Sequence, residues 1–135
     1  MNAKKMFLAV VVGFVVMMVL GLLFHLVIMG DFFKEKMGGE PMPQYVILSY
    51  LILAVLMAYI YPHGYKGGSF VKEGFRFGLL MGLMIRLPLQ VLMVGYGKAD
   101  WSLVIVEAIW HMIEQGIGGI AIAYMYGRGA SPSTT

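Results

Sequence analysis

The chain has 135 residues, of which 60% are hydrophobic and 13% charged, with a formal net charge of +3 and no cysteine. Soluble domains are about half apolar and about a quarter charged, so too few polar residues are present to cover a water-soluble globule. The composition excludes a disulfide scaffold, a thiolate metal site and a cysteine nucleophile, disfavours a soluble enzyme or a disordered chain, and leaves a small polytopic membrane protein of one domain.

Four apolar runs follow in chain order, each near the roughly 20 residues that a membrane-crossing helix needs. Met6 to Met29 has His25 as its single ionisable group. Lys4 and Lys5 precede it as they would a signal peptide, but the run is too long for a signal h-region and is read as a retained helix. Tyr45 to Tyr61 is shorter and uninterrupted, Gly74 to Tyr96 carries Arg86 near its middle, and Trp101 to Tyr126 carries Glu107, His111 and Glu114. Residues 31–44, 62–73 and 97–100 contain the Gly, Pro and charged residues of turns. Backbone groups in lipid must bond internally, so the runs are expected to be helices. The predicted fold is all-α, a four-helix transmembrane bundle over residues 1–128, with a disordered tail at 129–135.

Basic residues set the expected orientation. Lys4, Lys5, Lys66, Lys72, Arg76 and Arg128 fall on one side of the four spans, Lys34, Lys36 and Lys98 on the other, and Arg86 between. The excess predicts that both termini are cytoplasmic, in a bacterial inner membrane. Positive charge at span ends is this topology signal and not a nucleic-acid surface, so the bilayer is the expected partner and nucleic acid is not.

The first and third spans share a pattern, Gly21-Leu22-Leu23-Phe24-His25-Leu26 against Gly82-Leu83-Met84-Ile85-Arg86-Leu87. The second and fourth end in Ala58-Tyr59-Ile60-Tyr61 and Ala123-Tyr124-Met125-Tyr126. Two duplicated helical hairpins would produce this, as parallel repeats do in transporters; chance matches in a biased alphabet are the alternative.

Ionisable residues inside a membrane are costly, face the bundle interior and mark function by default. Glu107, His111 and Glu114 are spaced i, i+4, i+7 and share one helix face, with Gln115 at its border. At a rise of about 1.5 Å per residue, Arg86 and His111 fall about 15 Å from the outer end of their spans, Glu107, Gln90 and Tyr50 about 9 Å, His25 about 6 Å and Glu114 about 20 Å. Arg86 is therefore expected opposite His111, between the two glutamates, as an ion pair or an anion-binding group. His25 and His111 are expected as titratable groups, and the glutamates as ion-pair partners or proton carriers. Gly74, Gly78 and Gly82 recur every four residues and lead to Arg86 and Gln90, while Gly119 lies on the matching stripe of the fourth span. Small residues at this spacing let helix backbones approach. The hairpin should be tight at one end and open outward around a polar pocket. The alternative is a structural ion pair that holds helices in register.

Metal ligation is weakly signalled by Glu107, His111 and Glu114, whose order is not the Glu-x-x-His of di-iron bundles. A haem between His25 and His111 is opposed by their depth offset of roughly 9 Å, so no cofactor is predicted. The 13 Met residues are scattered through the spans and read as packing, and His63 beside Pro62 reads as solvated. Ser49 and Ser102 sit in no nucleophile motif, and Gly116-Ile117-Gly118-Gly119 follows no strand, so the chain is not read as an enzyme.

Three stretches carry a resemblance: Gly21-Leu22-Leu23-Phe24-His25 running to Met29-Gly30-Asp31-Phe32-Phe33, Glu73 through Gly82, and Trp110 through Gly119. In these and in its layout the chain resembles small, uncharacterised four-helix bacterial membrane proteins, which implies fold and location but no mechanism. The reading is a small protein that binds or transports an ion or solute, self-associating or within a larger membrane complex. The alternatives are an accessory subunit without chemistry of its own and, third, a haem or metal redox protein.

Overall fold

The structure is a computed structural model that describes residues 2–39 and 41–127. Every regular element among them is helical. Helix α1 (Ala3–Leu22) runs without a break into a π-helical stretch, Leu23–Ile28. Helix α2 (Gly30–Met37) is short, and α3 (Pro43–Gly64), α4 (Phe70–Gly95) and α5 (Trp101–Gly127) are long. Four helices, α1 with its π continuation, α3, α4 and α5, are long and apolar enough to cross a membrane. The tail expected at 129–135 lies outside the described residues.

The ends follow from local chemistry. The Asn2 side chain accepts from the Lys4 and Lys5 amides and caps α1. Pro43 opens α3, where its missing N–H costs nothing. Gly38 closes α2 at φ 75°, a conformation that a side chain would disfavour. The Asp100 carboxylate accepts from the Leu103 amide and starts α5.

Three boundaries depart from expectation. The segment 31–44, read as a turn, holds α2, which is anchored by the buried Phe33; at eight residues it is too short for a span-length reading to find. Helix α3 continues through Pro62 and His63, with the His63 ring exposed and its Nδ1 2.9 Å from the Tyr59 carbonyl oxygen. Helix α4 begins at Phe70, four residues before the expected start.

Polarity is arranged inside out. Phe7, Val19, Leu48, Leu80, Met84 and Ile105 are exposed, whereas Glu107, Glu114 and Gln115 are buried. Lipid accepts the first set, and the second must be satisfied within the bundle. Helix α5 is the central element. It packs most extensively on α4 and then on α1; α3 lies mainly against α1 and touches α4 only slightly.

The α4–α5 contact is made of missing side chains. Gly74 lies against Gly119 and Ile120, Gly78 against Gln115 and Gly116, and Gly82 against His111; a Cβ on any of the three would overlap α5 backbone. Each step of four along α4 meets a step of four back along α5, and the next step sets Arg86 opposite Glu107. On the other side of α5, the α1 row of Ala9, Gly13, Met17 and Gly21 is buried, with Gly13 against Ile122 and Met17 against Gly118. The glycine end of the bundle is closed further by the Tyr126 hydroxyl, which donates to the Ala58 carbonyl at 2.5 Å, and by Lys5, which donates to the Tyr126 carbonyl at 3.1 Å.

Gly→Ala in a helix normally stabilises by about 1 kcal/mol. Gly78→Ala is expected to reverse that sign and destabilise by about 1–3 kcal/mol through overpacking, while Gly95→Ala, which has open space around it, should be neutral or better. Thermal unfolding of the two variants in detergent checks this.

Candidate functional site

At the polar end of the α4–α5 contact, two carboxylates are fully buried, Glu107 and Glu114, each 0% exposed. Glu107 Oε1 lies 2.6 Å from His25 Nε2. Its Oε2 accepts from Arg86 Nε at 2.8 Å and meets Arg86 Nη2 at 2.5 Å. One layer further in, Glu114 Oε1 accepts from the Tyr50 hydroxyl at 2.6 Å, and Oε2 accepts from Gln115 Nε2 at 2.9 Å. His111 links the layers, with Nδ1 2.9 Å from Glu114 Oε2 and Nε2 3.3 Å from Glu107 Oε2. All four long helices thus contribute to one network.

Local structure delivers two of these groups. His25 stands in the π-helical stretch, where the wider turn changes the direction in which a side chain leaves the helix; π turns often mark functional positions. Its Nδ1 donates to the Gly21 carbonyl at 2.9 Å, since a carbonyl can only accept. Gly21 also leaves the space in which Tyr50 and Glu114 meet: a Cβ there would overlap the Tyr50 hydroxyl and sit 2.5 Å from Glu114 Oε1. The His25 ring is held by Phe33, with centroids 4.4 Å apart, and by Phe24, which stacks on Trp110 at 4.0 Å. The Trp110 indole N–H is buried with no hydrogen-bond partner among the described residues.

A cavity of about 530 Å³ lies beside the network, lined by α1 with its π continuation, α2, α3, α4 and α5. Leu22, Leu26, Phe33, Val46, Leu53 and Ile85 give it mainly apolar walls, and His25, Tyr50, Arg86, His111 and Gln115 line it as well. Glu107 and Glu114 do not line it; they stand behind the guanidinium and the imidazoles. The Arg86 side chain is 28% exposed and that of His25 22%.

The structure brings together Arg86, Glu107, His111, Glu114, His25 and Tyr50, in arrangements that depth counting misses. Among the described residues, Arg86 pairs with Glu107, whereas Glu114 is held by Tyr50, Gln115 and His111. Tyr50 reaches the inner layer, its hydroxyl meeting Glu114 at the end of a long side chain. The offset expected between His25 and His111 is absent, with ring centroids 5.8 Å apart. Glu107 contacts both Nε2 atoms, which leaves no room for a porphyrin between the rings. Gln90 is buried on α4, one turn beyond Arg86. Among the described His, Asp and Glu residues, the ligating atoms of His25, Glu107 and His111 all lie within 4.8 Å of one another, while Glu114 faces the other ring nitrogen of His111. Phe33 and the π turn went unforeseen, the former because α2 was read as a turn. No family model, curated protein or solved structure matches this chain.

Above the network, Lys36 of α2 hydrogen bonds Asp100 at the start of α5, which also accepts from the Ser102 hydroxyl at 2.7 Å. The Lys36 bond, followed by Ser102 and the Leu103 amide, holds the Asp100 carboxyl well below the usual carboxylate range. The same carboxylate raises Lys36 above its ordinary value. A depressed Asp stabilises above its unfolded value, about 3.9, and a raised Lys stabilises below about 10.4. The tether is therefore expected to be fully present between those limits and lost as pH falls through the depressed Asp100 value. Amide hydrogen exchange of α2, corrected for intrinsic rates, should stay level from about pH 5 to 9 and accelerate in strong acid. High salt should also accelerate it, because the pair is exposed and screened. Lys36→Ala should abolish both dependences.

Proposed function

We propose that this chain is a solute-binding or transport-like protein of a bacterial inner membrane, with both termini cytoplasmic and its cavity open outward. The observation that carries this is the polarity of the cavity lining: guanidinium, imidazole and amide groups face the space, while both carboxylates are shut behind them. A solute with an acceptor or anionic group and an apolar remainder fits such a lining, and 530 Å³ is within the size of small-molecule pockets, about 300–1,000 Å³. Arg86 would receive the acceptor group, as Glu107 uses only its Nε and Nη2.

The orientation is supported by the six-to-three division of basic residues, and it places the glycine end toward the cytoplasm. A cavity closed at that end and open at the other is the form expected of one state of an alternating-access cycle. Four helices enclose little volume, so conduction would need several chains or a larger complex. Duplicated hairpins find support in the first and third long helices, α1 with its π continuation and α4, each of which sets an ionisable residue, four positions after a glycine, against Glu107. An accessory subunit is the second reading, favoured by the complete burial of Glu107 and Glu114, which suits internal glue.

The absence of cysteine allows a direct test. Ser49→Cys and Ile85→Cys, both in the cavity wall, should react in intact cells with a membrane-impermeant thiol reagent. An anionic reagent should outpace a cationic one, and Arg86→Gln should remove that preference. Labelling only after the membrane is opened would overturn the orientation. Equal rates for both reagents with Arg86 in place would overturn the anion preference, and failure to label at all would favour the accessory reading.

A further inference from the structure

We propose that His25, Glu107 and His111 form a binding site for one divalent transition-metal ion of the zinc class. This assignment stands apart from the solute reading, since it concerns the network and not what the cavity admits.

His25 Nδ1 faces the Gly21 carbonyl and must carry the proton. A neutral His25 then turns its Nε2 lone pair toward Glu107 Oε1 at 2.6 Å. His111 repeats the pattern: Nδ1 is 2.9 Å from the Glu114 carboxylate, and Nε2 is buried, 3.3 Å from Glu107 Oε2, with no hydrogen-bond partner among the described residues. With both rings neutral, two imine nitrogens face the Glu107 carboxylate, whose Oε2 takes its donors from Arg86 while Oε1 meets only the His25 lone pair. Acceptors this close repel unless positive charge lies between them, and a metal cation meets all three at once.

The surroundings match what metal-binding histidines require. Such residues donate their other ring N–H to a carbonyl or carboxylate, which fixes tautomer and ring angle. His25 has the Gly21 carbonyl for this and His111 has Glu114, itself held by Tyr50 and Gln115. Metal-to-ligand distances near 2.0–2.2 Å set ligand atoms roughly 3.3 Å apart in a tetrahedral site. The three atoms here already lie within 4.8 Å of one another. Two histidines and a glutamate form a known zinc set that leaves a fourth position for water or a ligand. Because His25 and His111 line the cavity, an ion they hold lies at its edge. Arg86 binds the other oxygen of Glu107 and would leave Oε1 for the ion.

The test uses the full chain in detergent, stripped with a chelator and titrated with Co²⁺ or Zn²⁺ alone. The expected result is one Co²⁺ per chain, with visible d–d absorption that Zn²⁺ displaces. His25→Gln and His111→Gln should abolish it, His63→Gln should leave it unchanged, and Glu114→Gln, which touches only the orienting layer, should weaken it about 10–100-fold. Helical circular dichroism reports whether each variant folds. Should the histidine variants fail to fold, X-ray absorption of the Zn²⁺-loaded native chain decides, since the proposal requires two imidazole ligands per metal. No stoichiometric Co²⁺ binding by the native chain, binding retained in the folded histidine variants, or fewer than two imidazoles at the metal would overturn it, and would leave imidazolium protons as the positive charge in the network.

Discussion

Where Gly78 meets the Gln115 carbonyl, two helix backbones touch with no side chain between them, and the rest of the bundle is placed by that contact. The gap admits nothing larger than hydrogen at Gly74, Gly78 and Gly82, so α4 can neither slide nor rotate against α5 without collision. A fixed register has a chemical result one step of four further on. There the glycine row ends and Arg86 faces Glu107, so the ion pair inherits its geometry from the packing below it.

The same contact explains how charges are tolerated in this setting. A single charged residue at the centre of a membrane helix costs roughly 2.5–3.5 kcal/mol on insertion scales. The bundle answers by giving every oxygen of Glu107 and Glu114 a close polar neighbour. Buried ion pairs are weak evidence for stability, because desolvation offsets attraction. Their retention here is better understood through the cavity they border, whose donors face inward on an otherwise apolar wall.

Much of this was legible in the residues. Uninterrupted apolar runs and their breaks mark the four long helices, because lipid demands length and apolarity in a row. The spacing of Glu107, His111 and Glu114 places them on one face, and the four-residue glycine period names the surface that packs. Three features were not legible. The π turn at Leu23–Ile28 has no residue signature, since Leu, Phe and Val suit an α-helix equally well. Helix α2 is too short and charged to stand out from a turn. The pairing of Tyr50 with Glu114 depends on how α3 packs in the bundle and on side-chain reach, which counting along separate spans cannot supply.

The order of elements along the chain carries a consequence for biogenesis. Helix α5 is the hub on which α1 and α4 pack, yet it follows both of them. During synthesis Arg86 is made 21 residues ahead of Glu107, an interval of roughly 1–4 s at ordinary elongation rates. For that time the guanidinium lacks Glu107, and the glycine row of α4 has no surface to close against. The loop between the two helices is short, so they are suited to enter the bilayer as a pair, with the charge neutralised at the moment of insertion. The earlier helices would wait as a loose group in the lipid, and the interior would come into being only when the hub arrives.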